Sequence, residues 1–164
     1  MYLYRDFIKT ISDDLNELSQ VRDERGWIRF RYHLFILIAI GIEMLGAALD
    51  DEGWHEPKLS GKRFNSALEQ ITSLQKYLDT DLFNQLRCGM AHVYLPRAGL
   101  GINTKEEGGE HLEIKSGVRI LHVEDLLEDF TSACDEVIQN IDGQTSSLDL
   151  KEKAKGPYLF VGNI

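Results

Sequence analysis

Cysteine is scarce in this 164-residue chain. Its two cysteines, Cys88 and Cys134, form neither a CxxC pair nor the even framework that staples small secreted domains. A reducing compartment, the cytoplasm, is the expected setting. The opening MYLYRDFIKTISDD lacks the apolar core and small-residue cleavage site of a signal peptide, which agrees with that setting. Excess positive charge is missing too. A formal net charge of −9 argues against a broad electrostatic grip on nucleic acid, because non-specific affinity comes from neutralising phosphates.

No uninterrupted membrane-length apolar run is present. The longest stretch, Tyr32 to Leu49, is broken by Gly41 and Glu43 and entered through Arg29 and Arg31, so a buried core helix is expected and no membrane partner. The five histidines (His33, His55, His92, His111 and His122) show no HxxxH or HxH spacing, so no metal site and no cofactor is expected. Gly99-Leu-Gly101 precedes a strand pattern where a phosphate loop would open a helix.

What is present is ordinary globular material, 43% hydrophobic and 27% charged, in a length that suits one domain with its own core. Phe7, Ile8, Ile11, Leu15 and Leu18 recur at helical spacing between Tyr4 and Val21. After a turn at Asp23 to Gly26, the segment Ile28 to Leu49 is apolar on nearly all sides, the pattern of a central bundle helix. Asp50 to Arg63, with Gly53, Pro57 and Gly61, reads as a loop. Phe64, Leu68, Ile71, Leu74 and Leu78 predict a third helix. A fourth is expected from an N-cap at Asp79 or Thr80 through Leu82, Phe83, Leu86 and Met90 toward Tyr94, ended by Pro96.

Beyond Pro96, alternating segments starting at Gly99, His111 and Arg119 predict a small antiparallel β-meander over about 98–122. A last helix, Val123 to Ile141, carries Leu126, Leu127, Phe130, Cys134, Val137 and Ile141 on one stripe. The expected fold is therefore mainly α, a four- or five-helix bundle in one domain over 1–142, with the meander before the last helix. Residues 143–164, including the Lys-rich run at Lys151 to Lys155, read as a loosely held tail.

Charge is uneven along this domain. Thirteen Asp and Glu stand against six Lys and Arg between Asn103 and Lys155, while Arg22, Arg25, Arg29 and Arg31 crowd the entry to the second helix. That crowding is either a local basic patch or a solvated helix entry. Trp27, Trp54 and Tyr94 are of the type that stacks on bases or edges a core.

The chemistry-bearing stretch is Leu86-Arg-Cys-Gly-Met-Ala-His-Val-Tyr-Leu-Pro96. Cleaving RNA through its own 2′-hydroxyl needs a group titrating near neutrality to move protons and a fixed cation for the charge on phosphorus. His92 and Arg87 are of those types. Five residues apart on an α-helix they sit about 140° apart, so they converge only if the Arg bends round or a second subunit contributes its own pair. Against this stands a structural reading, in which Arg87 pairs with a bundle carboxylate such as Glu43 and His92 favours the helix C-terminus. Glu43, alone among apolar residues, needs a partner if buried. Cys88 and His92 share a helix face, the geometry a thiolate nucleophile would use, although a helical Cys is more often a small hydrophobe. Asn84, one turn before Arg87, offers a further polar group. Gly41, Gly46, Ala47 and Ala48 form a thin strip that suits close helix packing.

Arg87 to His92 resembles the R-x4-6-H motif of the HEPN superfamily, in its placement late in a fourth helix after an apolar second one. The resemblance spans roughly Met1 to Pro96 and the final helix, with the meander as an elaboration. It implies an all-helical, homodimeric, metal-independent endoribonuclease or RNA-binding protein of the toxin–antitoxin or defence kind. In it Arg87 would contact the scissile phosphate and His92 would move protons, with Glu43, Asn84 and Cys88 in support. Cys88 stands where active members often carry Asn, Asp or His. The alternative is therefore an inactive interaction module that binds a protein partner or a nucleotide.

Overall fold

The computed structural model describes residues 4–53 and 56–143. Trp54, His55 and the segment 144–164, most of the stretch read as a tail, lie outside the described residues. The chain folds as a helical bundle with a small three-stranded sheet before its last helix.

Helix α1 (Tyr4–Ser19) buries Ile8 and Leu15 and lies against α2 (Arg31–Leu49) and α5 (Val123–Gly143). Its amphipathic spacing suits that position, with one apolar stripe inward and charged residues outward. Helix α2 occupies the centre, with Leu34, Phe35, Ile38, Ala39, Ile42 and Leu45 buried. Among the described residues it is the helix long and apolar enough to cross a membrane, at a mean hydropathy of 1.9, and it is largely enclosed by the bundle.

Helix α3 (Ser60–Gln70) starts earlier than the apolar pattern indicates and crosses α2 at backbone distance. A Cβ on Gly46 would lie 1.8 Å from the carbonyl oxygen of Arg63. The Arg63 side chain is buried and pins the preceding loop, its Nε 2.7 Å from Asp50 Oδ2 and its terminal nitrogen donating to the Gly53 carbonyl at 2.7 Å. Gly41 makes room in turn for the ring of Phe130 on α5.

The expected third helix does not run through to Leu78. It breaks at Ile71, whose backbone is extended (φ −97°, ψ 119°), and a 3₁₀ segment, Thr72–Thr80, follows. The break is held from a distance: Glu136 of α5 accepts the N–H of Thr72 at 2.8 Å and of Ser73 at 2.9 Å. Neither Asp79 nor Thr80 caps the next helix. Asp79 remains in the 3₁₀ segment, the Thr80 hydroxyl donates to the Tyr77 carbonyl, and Asp81 turns the chain with φ +48°. The fourth helix then begins as a π-helical turn, Phe83–Cys88, and passes into a short α4, Gly89–Val93.

Strands β1 (Leu100–Asn103), β2 (Ile114–Lys115) and β3 (Val118–His122) form a sheet in the order β1-β3-β2. The β2–β3 hairpin is antiparallel, as its Ser116-Gly117 turn implies, both turn residues having positive φ. β1 instead pairs in parallel with β3, Leu100 opposite Arg119 and Asn103 opposite His122, so the sheet is mixed and not a wholly antiparallel meander. The reason is the chain between β1 and β2. Thr104 and Glu107 form a capping box around the turn Lys105–Glu107, and Gly108 and Gly109 with positive φ carry the chain across before it can pair back on β1.

Replacing Gly46 with Ala is expected to cost roughly 3 kcal/mol, since the atom met is backbone and cannot rotate away; urea unfolding of the purified chain measures it. Glu136 gives a pH signature. Burial raises its carboxyl, but the N–H groups of Ser73 and Thr72 outweigh that and hold it below its ordinary 4.5. Its capping stabilisation is therefore complete above the ordinary value and is lost as pH falls through the lower folded value. Glu136→Gln should lower stability at neutral pH by about 1 kcal/mol, as for a lost cap, and flatten the acid limb of a Tm-versus-pH curve.

Candidate functional site

The fourth helix is held at both ends of the motif by backbone contacts. Leu86 and Met90 are buried beneath it. Tyr94, with φ +61°, ends α4 in the left-handed region, its N–H donating to the Met90 carbonyl at 3.1 Å. The chain then doubles back, and the Arg97 N–H donates to the Gln85 carbonyl at 2.8 Å. Gly89 permits this return, because a Cβ there would lie 2.8 Å from the Leu95 oxygen and 2.9 Å from the Arg97 nitrogen.

On that frame Arg87 is half-buried, at 24% side-chain exposure, and its Nε donates to Glu43 Oε2 at 3.0 Å. The pairing expected from one acid on an apolar helix is thus present. Among the described residues the terminal guanidinium nitrogens make no hydrogen bond, so the fork end of Arg87 is free while its base is fixed. His92 is exposed, and its ring meets no hydrogen-bond partner among the described residues. Among the described residues no hydrogen bond joins Arg87 to His92. The π-turn ends at Cys88 and Gly89–Val93 is α-helical, so most of the stretch from Arg87 to His92 keeps the angular offset of α geometry. Such turns recur at functional sites. Cys88 is half-buried and free, and Asn84 donates to Asp81 Oδ1 at 2.8 Å, pointing its amide back along the chain. Cys134 is packed in the core, where burial, with Asp135 adding to it, pushes its thiol up to about 12.

Two surfaces adjoin the motif. One is basic and aromatic. The Arg25 guanidinium lies 4.3 Å from the centre of the Trp27 ring, Arg31 lies over both Trp27 and Tyr32, and Arg29 lies over Phe30. Edge-on contacts of Phe30 with His33 and of His33 with Tyr94 continue the row to the end of α4. The other surface is apolar. Leu37 and Ile40 of α2 face outward, and Val93 and Leu95 beside the motif are 67% and 61% exposed. A cleft of about 340 Å³ elsewhere, between α1, α2 and α5, is lined by Asn16, Arg22, Glu124 and Glu128 among others and includes none of the motif residues.

A second polar cluster was invisible to spacing rules. His111 Nε2 lies 2.8 Å from the Tyr77 hydroxyl, which donates to Asp129 Oδ2. Its Nδ1 accepts the backbone N–H of His122 at 3.1 Å, so the ring proton belongs on Nε2. His122 is 3% exposed, with Nδ1 3.3 Å from Asp125 Oδ2 and Nε2 3.4 Å from the Gly108 carbonyl. Lys105 sits 2.8 Å from Asp125 Oδ1, and Lys76 2.8 Å from Asp129 Oδ1. Burial pushes His111 below its ordinary value, outweighing Asp125 and Asp129. Burial raises the Asp125 carboxyl, but Lys105 and the two histidines bring it below the ordinary carboxylate value. The signal that finds this cluster is the Ser116-Gly117 turn, because positions 111 and 122 lie equally far from it and a hairpin brings them near one another.

No family model, no curated protein and no solved structure matches the chain. Gly89→Ala is expected to expel the 95–97 return and destabilise the domain by about 2 kcal/mol, read by denaturant unfolding. Wild-type stability in the variant would mean that the return does not depend on the missing side chain.

Proposed function

We propose that this chain is a HEPN-like RNA-binding protein that acts as a homodimer in the cytoplasm and cleaves RNA without a metal. The observation that carries the reading is the state of Arg87: Glu43 fixes its Nε, and among the described residues the two terminal nitrogens that match a phosphate make no hydrogen bond. In the reaction the 2′-oxygen of the substrate attacks phosphorus as its proton leaves. The bond to the 5′-oxygen then breaks as that oxygen gains a proton, giving a 2′,3′-cyclic phosphate and a 5′-hydroxyl. Arg87 stabilises the charge that builds on the phosphoryl oxygens. One His92 accepts the first proton and the His92 of the second copy delivers the other, which suits a ring that meets no hydrogen-bond partner among the described residues.

The second copy is supported by the apolar surface of Leu37, Ile40, Val93 and Leu95, which adjoins the motif and whose burial favours association. The row of arginines on aromatic rings from Arg25 to Tyr32 offers phosphate contacts and stacking faces for single-stranded RNA on an otherwise acidic protein. A silent interaction module, binding a protein partner or a nucleotide, is the second reading. It is favoured by Cys88 in place of a polar motif residue and by the absence, among the described residues, of a hydrogen bond between Arg87 and His92.

The test is cleavage of a mixed RNA pool by the purified chain, with and without EDTA, beside Arg87→Ala and His92→Ala. Wild type should cleave equally in both buffers and leave 2′,3′-cyclic phosphate ends, and each variant should lose at least about a hundredfold in rate. No cleavage by a folded, dimeric wild type would remove the nuclease reading and leave the interaction module.

A further inference from the structure

We propose that His111, His122 and Asp125 form a binding site for one divalent transition-metal ion, zinc being the best match, at the junction of the sheet and α5. The site shares no residue with Arg87, His92 or Glu43 and does not rest on the nuclease reading.

One ligand atom from each of the three side chains lies within 4.8 Å of the other two. His122 Nδ1 is 3.3 Å and His111 Nδ1 is 3.9 Å from Asp125 Oδ2. A tetrahedral ion with bonds of about 2.0–2.1 Å has ligand–ligand edges of roughly 3.4 Å, so the carboxylate already stands near the required separation from both rings. The donor set, two imidazole nitrogens and one carboxylate oxygen, suits zinc and its neighbours and not the hard all-oxygen preference of calcium or magnesium.

The surroundings favour ligation through the Nδ1 atoms specifically. A metal-bound histidine ordinarily donates its other ring N–H to an oxygen that fixes its orientation. Here the outer nitrogen of each ring already faces one: His111 Nε2 faces the Tyr77 hydroxyl, itself anchored on Asp129, and His122 Nε2 faces the Gly108 carbonyl. Asp125 keeps its second oxygen on Lys105. The three ligands come from the loop before β2, the end of β3 and the first turn of α5.

Bonds to the ion replace the direct 3.3 Å contact of His122 Nδ1 with Asp125 Oδ2, and binding displaces the hydrogen bond from the His122 N–H to His111 Nδ1. That neutral bond is small against ligation by two imidazoles and a carboxylate. Asp125 is part-exposed, which leaves a water molecule the fourth tetrahedral position. The ion would tie the sheet to α5 and, through Tyr77 and Asp129, to the 3₁₀ segment.

The full chain, stripped with EDTA and dialysed, is titrated with Co²⁺ followed by visible absorption, and with Zn²⁺ followed by calorimetry and thermal unfolding. One equivalent of Co²⁺ should give the intense visible bands of a tetrahedral site. Zinc at a hundredfold over its Kd should raise Tm by roughly 5 °C or more. Asp125→Asn, His111→Gln and His122→Gln should each weaken binding by at least about tenfold, whereas His92→Ala and His33→Ala should not. Asp125→Asn guards against misfolding, since Asp125 is the least buried ligand, and far-UV circular dichroism checks each variant. An octahedral Co²⁺ spectrum, less than one equivalent bound by wild type, or equal loss in His92→Ala would overturn the site.

Discussion

Helix α2 carries apolar side chains on nearly every face, and most of them are kept from water because α1, α3 and α5 lie against it. The other features of the bundle answer to that covering. α3 approaches closely enough for its backbone to touch Gly46, which forces Arg63 inward, and Arg63 in turn requires Asp50 and the Gly53 carbonyl beside it. α5 approaches at Gly41 with an aromatic ring. The covering is incomplete along Leu37 and Ile40, on the face of α2 whose His33 meets Tyr94 at the end of α4, just after His92.

Glu43 links the covering to the motif. A single carboxylate on an apolar helix must be compensated, and Arg87 compensates it with Nε while, among the described residues, its terminal nitrogens make no hydrogen bond. The same pair therefore satisfies a structural need and leaves a guanidinium fork that the proposed function would turn to phosphate. This is why a structural role for Arg87 and a role toward RNA are not exclusive.

Much of this was legible in the sequence because it depends on local periodicity. The stripes of α1 and α5 predicted their buried faces, the lone acid of α2 predicted its partner, and Ser116-Gly117 predicted a hairpin. What could not be read depends on partners far along the chain. Apolar spacing continues smoothly from Phe64 to Leu78, and nothing local marks Ile71 as a break; the cap that holds it comes from Glu136. The parallel pairing of β1 is decided by how the turn at Thr104 to Gly109 directs the chain, not by the alternation of β1 itself. The π-turn leaves no residue signature, and the meeting of His111 with His122 and Asp125 appears only once hairpin and helix are placed together.

The dependence of the 3₁₀ segment on α5 bears on the order of assembly. Thr72 and Glu136 are 64 residues apart in sequence, and Tyr77 and Asp129 are 52 apart. On the ribosome, α1, α2 and α3 can associate while the segment after Ile71 still lacks the carboxylate that caps it. The middle of the chain therefore waits for the last helix to be made. Loop-closure entropy of that kind slows folding relative to a bundle joined only by neighbours, and until α5 arrives the flank of α2 that it covers is open to chaperones.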